Sequence, residues 1–286
     1  MKIMLDGGNG LLGYDVAKIL SAHHDTFVIK GRRDLDLNDF TALREKIESE
    51  KPDCYIHIAG IKDVDDAQRD PVGAYALNTI VPANIALITG NMGIPMIHIS
   101  TGGVFDGNTD KPYKEDDPVA PVNTYGNTKL KAEELVRYFN PKSFIIRVPL
   151  LFGAHGGKDR NPILKMLSRL EAGERGLLYT TDQISNPTYV VDIANALEEV
   201  LESDKYGTYH LCNTTAASRY EYFSYIAHKM GYGDDATKPC LMGVKFAPRE
   251  KNVVLDGSLF ENTFHHPMRP WRDAMDDCIK EIKSEN

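Results

Sequence analysis

The chain has 286 residues, 42% hydrophobic and 26% charged, an ordinary globular composition with enough apolar matter for a sizeable core. A formal net charge of −8 argues against a general nucleic-acid groove, and Cys54, Cys212, Cys240 and Cys278 lie too far apart for a CxxC pair or a Cys/His cluster. Reduced thiols, no metal site, no nucleic-acid partner and a cytoplasmic location are therefore expected. The start "MKIML" meets "DGGNG" too soon for a signal peptide, and no apolar run reads as long enough to span a membrane.

Strand-like apolar runs lie at 2–7, 26–31, 54–60, 95–101 and 143–153. Between them come helical periodicities, among them 11–22 with Val16, Ile19 and Leu20 inward, and 74–92 with Leu77, Ile80, Ala83 and Leu87 inward. Strands apolar at nearly every residue are buried on both faces, and helical spacers supply the crossovers. The pattern predicts an α/β fold with a Rossmann-type, doubly wound parallel sheet. Beyond residue 150, helical patterns at 162–173, 190–203, 219–231 and 270–284 surround one more strand-like run at 208–213. The expected organisation is a dinucleotide-binding domain over 1–150, with strands from about 187–213 returning to it. Residues 151–286 then form mainly a smaller, interleaved substrate lobe.

The loop "GGNGLLG" sets Gly7, Gly10 and Gly13 three apart, with Asn9 among them, after a strand and before a helix. Such glycines permit a tight turn and let backbone N–H groups approach a pyrophosphate at a helix N-terminus. A plain strand-to-helix turn is the simpler alternative, but the βαβ setting favours a dinucleotide. After the second strand, "KGRRDLD" brings Arg32 and Arg33 before any acid. Guanidinium groups suit a 2′-phosphate better than a free ribose hydroxyl, so NADP(H) is preferred, with NAD(H) a second option.

"YGNTK" places Tyr125 and Lys129 on one helical face, where an ammonium one turn away would lower the phenol pKa. Tyr14/Lys18, Tyr138/Lys142 and Tyr225/Lys229 share the spacing but read as surface helix positions. Only Tyr125 follows the strand end Ser100-Thr101 closely enough for Thr101 to bond the substrate oxygen that Tyr125 protonates.

The block "HISTGGVFDG…PYKEDDPVAPVNTYGNTKLKAEE" resembles extended short-chain dehydrogenase/reductases of the dTDP-4-dehydrorhamnose reductase type. "GRRDLDLND", "AGIKDVDDAQRDP", "DQISNPTYVVDIANAL" and "YHLCN" extend the resemblance over essentially the whole chain. The resemblance implies that Thr101, Tyr125 and Lys129 are catalytic. It implies a cofactor lining of Gly10, Leu11, Leu12, Asp36, Leu37, Ala59, Gly60, Ile61 and Lys62, and a nucleotide-sugar substrate. A homodimer is compatible with it.

The chain departs from that family on the substrate side. Gly102 and Gly103 stand where the family usually has Asp-Tyr, and Leu150 and Leu151 follow "RVP" where a Trp is usual. Gly102, Gly103 and Leu150, with Thr101, are therefore the candidate substrate contacts, the glycines making room for a different or larger sugar. "RVPLLFG" and "FAPREKNVVLD" are also similar to the regulatory subunit of methionine adenosyltransferase. The leading expectation is an NADP(H)-dependent reductase of a 4-keto nucleotide sugar. A nucleotide-sugar epimerase or dehydratase with bound NAD, and a non-catalytic regulatory subunit, are the alternatives.

Other conspicuous residues read as structural. Asp63, Asp65 and Asp66 fit a solvated helix start, His57 and His98 a strand core, and His23/His24 and His265/His266 the surface. The lone Trp271 is expected to anchor the last helix.

Overall fold

The computed structural model describes residues 1–157 and 161–285. Five strands of the main sheet are β1 (Lys2–Asp6), β2 (Asp25–Ile29), β3 (Cys54–His57), β4 (Met96–Thr101) and β5 (Ser143–Val148). A sixth, Gly207–His210, forms the edge beside β5. The order is edge–β5–β4–β3–β1–β2, and every pairing is parallel. The crossovers are α1 (Leu11–Leu20), α2 (Phe40–Glu50), α3 (Val64–Arg69), α4 (Pro71–Tyr75), α5 (Val81–Asn91) and α6 (Thr124–Phe139). The later helices are α7 (Pro162–Glu171), α8 (Val190–Leu201), α9 (Arg219–Lys229), α10 (Ser258–Phe264) and α11 (Trp271–Glu285). After β2 the chain crosses back over β1 to β3. That reversal opens a crevice at the carboxyl ends of β1 and β3.

Alternation along the strands sorts the core into two layers. Ile3 and Leu5, Cys54 and Ile56, Ile97 and Ile99, and Phe144, Ile146 and Val148 pack with residues of α1, α8 and α11. Met4, Tyr55, Met96 and Ile145 pack with residues of α2, α5 and α6. Toward the carboxyl ends this second face turns polar. Asp6, His57, His98, Ser100 and Arg147 are all buried there, opposite Lys129 and Glu133 of α6.

Two expectations need correction. Residues 71–91 form one continuous 21-residue helix, long and apolar enough by composition to cross a membrane, yet more than half buried within the fold. It is a core helix packed on α2 and α6. A wide π turn over Ala76–Ile80 joins α4 to α5, just before Pro82, which has no N–H for a regular turn and whose ring crowds the carbonyl four residues back. The added residue rotates the register, so Ile80 is 43% exposed, while Val81, Ile85 and Ile88 are buried. Second, Thr188–Tyr189 pairs with Leu151–Phe152 and does not join the main sheet; within 187–213 only Gly207–His210 does so.

The remaining structural readings hold apart from His24 and from Asp65, which pairs with Arg249 at 3.0 Å. Trp271 is fully buried at the start of α11, its ring 5.2 Å from that of Tyr225, and the four cysteines are free. Asp63 caps α3 by accepting from the N–H groups of Asp65 and Asp66. The His24 side chain is only 10% exposed, against Glu198 at 2.8 Å.

Candidate active site

The loop after β1 is built for close approach. Gly7 has φ +72°, and a Cβ there would stand 2.9 Å from the Ala59 nitrogen. Its carbonyl accepts from Gly10 N–H at 2.8 Å, and a Cβ on Gly13 would run into that same oxygen. Gly10 offers α1 no side-chain cap, which leaves the helix N-terminus open to an anionic ligand. Asn9 and Gly10 are exposed, whereas Leu12 is buried and Leu11 half-buried against the core. Beside this loop runs a groove of about 300 Å³, lined by Gly7, Lys30, Gly31, Arg32, Leu35, Asp36, Leu37, Asn38, Ala59 and Leu77 among others. Arg32 reaches Asp36 at 3.2 Å; Arg33 is exposed and is not part of that lining. Backbone and side-chain bonds from Asn38, with Arg32 nearby, hold the Asp36 carboxyl below its ordinary range.

The far wall is fixed by buried polar residues. One Asp6 oxygen accepts from the N–H groups of Ile58 and Ala59, both at 2.7 Å, and the other meets His57 Nδ1 at 2.6 Å. Burial works against the Asp6 carboxylate, but His57 and these N–H groups outweigh it and hold its pKa down. Asn78, carried by the π turn, accepts from Ile61 N–H at 2.8 Å and donates to the Ile61 carbonyl and to Thr128. Gly60 lies close against it, since a Cβ there would sit 2.9 Å from Asn78 Oδ1. Lys62 is exposed at the end of this wall.

Thr101 ends β4, and Tyr125 and Lys129 lie in the first turns of α6, whose start is capped by Asn123 accepting from Gly126 N–H at 2.9 Å. The Thr101 hydroxyl lies near enough to the Tyr125 phenol to act on its pKa. Burial raises the phenol pKa; the Thr101 contact opposes this, and the Glu250 charge adds to it. The expected lowering by Lys129 is not what the structure holds. Lys129 Nζ instead donates to the Ile99 carbonyl at 2.7 Å and stands 3.4 Å from His98 Nε2. Burial brings its own pKa down to about 8, against the opposing pull of Glu133 and Asp6. His98 is driven well below its ordinary range by burial and by Lys129, so its ring is neutral, and it stacks on His57 with centroids 5.2 Å apart.

On the substrate side, Gly102 and Gly103 begin a short 3-10 turn, with Gly103 N–H donating to Thr101 Oγ1 at 3.1 Å. Neither has a positive φ. A Cβ on Gly102 would meet Leu255 at 3.4 Å, and one on Gly103 would meet Glu250 Oε1 and Thr101 Oγ1, each at 3.5 Å. Leu150 is half-buried against the core, its carbonyl accepting from Thr188 N–H at 2.7 Å. The other Tyr/Lys pairs stay outside this centre: Tyr14 and Tyr138 are exposed, and Tyr225 and Lys229 both bind Asp276.

Sequence reading misses Asp6, Asn78, Asn123 and Glu250. Only Asn123, an Asn before a helical run, carries a local signal. Elsewhere the fold gathers Asp15, His155 and Glu281, with ligand atoms within 4.8 Å of one another, a grouping that sequence spacing hides.

A family model described as RmlD substrate binding domain matches residues 1–284. A dTDP-4-dehydrorhamnose reductase of Mycolicibacterium smegmatis is 29% identical over 285 residues, 98% of this chain and 86% of that protein. The crystal structure of a dTDP-4-dehydrorhamnose reductase from Clostridium acetobutylicum superposes with a TM-score of 0.91 at 31% identity, covering 99% of this chain and 100% of that one. The Bacillus anthracis dTDP-4-dehydrorhamnose reductase, in complex with NADP, gives 0.91 at 27% identity, over 98% of each chain. With a parallel sheet, an open glycine loop and a Thr–Tyr–Lys centre at the strand ends, the chain belongs to the RmlD substrate binding domain family.

Proposed function

We propose that the chain is an NADP(H)-dependent reductase of a 4-keto nucleotide sugar, with dTDP-4-dehydrorhamnose as the first substrate to try. One observation carries the chemistry: α6, which bears Tyr125, is fastened to the end of β4, which bears Thr101, by Lys129 donating to the Ile99 carbonyl at 2.7 Å, two strands from the glycine loop. The loop, the open start of α1 and the Arg32 groove fit a dinucleotide, and the relative with NADP bound supports that cofactor. When bound, the dinucleotide supplies the hydride for the carbonyl carbon.

The chain's own residues handle the oxygen. Thr101 orients the carbonyl by hydrogen bonding, and Tyr125 gives its phenolic proton to the oxygen as the alcohol forms. A phenol whose pKa is raised by burial is kept in the protonated form that this step needs. Lys129, held by the Ile99 carbonyl, is placed to bind the nicotinamide ribose. Asp6 and Asn78 fix the wall formed by Ala59, Gly60, Ile61 and Lys62, and Arg32 and Arg33 favour a 2′-phosphate. In this reading residues up to about 150 bind the cofactor, and the remainder mainly binds the sugar. Relatives matched over nearly the whole chain bear reductase names, which leaves the epimerase, dehydratase and regulatory alternatives without equal support.

The test is NADPH oxidation with dTDP-4-dehydrorhamnose and a panel of other 4-keto nucleotide sugars. Tyr125→Phe should keep the fold and NADPH binding while losing roughly 10²-fold or more in turnover, the scale of a general acid. Tyr225→Phe serves as the control. Equal losses in both would mean the wrong tyrosine has been chosen, and NADPH binding without turnover of any sugar would favour the regulatory alternative.

A further inference from the structure

Glu250 lies 125 residues beyond Tyr125 in sequence, yet its carboxyl group borders the reaction centre. The space above Gly103 has Glu250 Oε1 on one side and Thr101 Oγ1 on the other, each 3.5 Å from the point where a Cβ would stand. We propose that Glu250 is a substrate-binding residue of this site, its carboxylate accepting a hydrogen bond from a sugar hydroxyl beside the keto carbon. The inference rests on the reductase reading of Thr101 and Tyr125.

The segment around Glu250 is pinned in place. Asp65 binds it twice, accepting from Ala247 N–H at 3.2 Å and pairing with Arg249 at 3.0 Å. Asn123 donates to the Pro248 carbonyl at 3.1 Å and to Glu250 Oε1 at 2.9 Å, while its own oxygen caps the helix that carries Tyr125. At Gly107 the two segments press together so closely that a Cβ would stand 2.8 Å from Glu250 Cβ.

This architecture does not use the charge of Glu250. Its neighbour Arg249 spends its guanidinium on Asp65 and the Ala247 carbonyl, and Glu250 has no ion pair among the described residues. A carboxylate can accept about four hydrogen bonds, and the one side-chain donor here is Asn123. Glu250 is half-buried, and the acceptor positions that Asn123 leaves unused can take a further donor. Burial accordingly raises its pKa. A polyhydroxylated sugar whose carbonyl sits on Thr101 and Tyr125 brings hydroxyl donors to that point. Gly103 leaves that point free of a side chain: its conformation does not require glycine, and a Cβ there would stand 3.5 Å from the Glu250 carboxylate.

The test measures binding of dTDP-rhamnose in the presence of NADP, together with NADPH affinity and the melting temperature. Glu250→Gln keeps the size and an acceptor for Asn123 but removes the charge. It should weaken sugar binding about tenfold or more, the scale of a charge-assisted bond, with NADPH affinity and melting unchanged. Glu250→Ala should weaken it at least as much. Gly103→Asp in the Glu250→Ala background, which returns a carboxylate to the same space, should recover part of the loss. Unchanged sugar affinity in Glu250→Gln overturns the inference. So does a parallel loss of NADPH affinity or melting temperature, because Glu250 would then be only a tie for Asn123. If the unmutated protein binds NADP but no sugar, the reductase reading fails and this inference fails with it; a failure confined to the variants sinks this inference alone.

Discussion

Raising the pH should switch off this centre through Lys129. Its ammonium is buried beneath the cleft, donates to the Ile99 carbonyl at 2.7 Å, and has a pKa lowered to about 8 by burial. A lysine with a lowered pKa is charged below that value and neutral above it. About nine tenths of the chains carry the charge at pH 7, and about one tenth at pH 9. If the ammonium holds the nicotinamide ribose, kcat/KM for NADPH should be level below about pH 8 and fall about tenfold per pH unit above it. Tyr125 does not mask this limb, because its pKa is moved upward. Two variants identify the group. Lys129→Arg stays protonated throughout and should abolish the limb at whatever rate it retains. Asp6→Asn removes a charge that raises the Lys129 pKa, so the limb should move to lower pH. The assay is initial-rate NADPH oxidation with dTDP-4-dehydrorhamnose across roughly pH 6–10. A profile flat to the alkaline end, or the same limb surviving in Lys129→Arg, would refute the assignment.

Three further outcomes follow from contacts in the site. Gly13→Ala drives a methyl into the Gly7 carbonyl and should destabilise the fold by about 1–3 kcal/mol while weakening NADPH binding, read by melting and fluorescence titration. Arg32→Ala with Arg33→Ala should erase most of the preference for NADPH over NADH, about 1.5 kcal/mol for an exposed charge-assisted contact, and equal affinities in the unmutated protein would sink the idea. Asn123→Ala removes the cap of α6 together with the ties to Pro248 and Glu250, and should cost about 1–2 kcal/mol in chemical denaturation.

The parts legible in the sequence are those that local pattern determines. The sheet strands announce themselves because both faces are buried, so runs such as Ile3–Leu5 in β1 are apolar on each side. The glycine loop and the Tyr125/Lys129 pair lie within single turns, where spacing alone fixes geometry. The register of residues 71–91 was out of reach, because one π turn ahead of Pro82 moves Ile80 from the expected inner face to solvent. Asp65 looked like one more acid at a helix start. Its partner Arg249 lies 184 residues further along the chain. No local pattern encodes a contact of that range.

The polar layer under the cleft joins the glycine-loop side of the sheet to the Lys129 side. Asp6 ends the strand before the glycine loop, and its carboxylate holds both the N–H groups of the β3 loop and the ring of His57. His57 stands in register with His98 on the neighbouring strand, and His98 faces Lys129. Each member faces the helix layer rather than the strand's other side, as strict alternation requires. Buried charges of this kind are tolerated only when partners neutralise them, and here part of the compensation is electrostatic: Asp6 favours the charged Lys129, and neutral His98 removes a competing cation. The Asp6 carboxylate therefore acts electrostatically on a side chain more than a hundred residues away in sequence. The later lobe carries a polar cluster of its own, in which buried Asn213 donates to Asp192 and Arg269 pairs with Asp192. The 246–255 segment is joined to the centre through Asn123, Asp65 and the contact of Leu255 with the turn at Gly102. In the proposed reading, substrate and cofactor contacts are therefore coupled through Asn123 and Asp65 as well as through Thr101 and Tyr125.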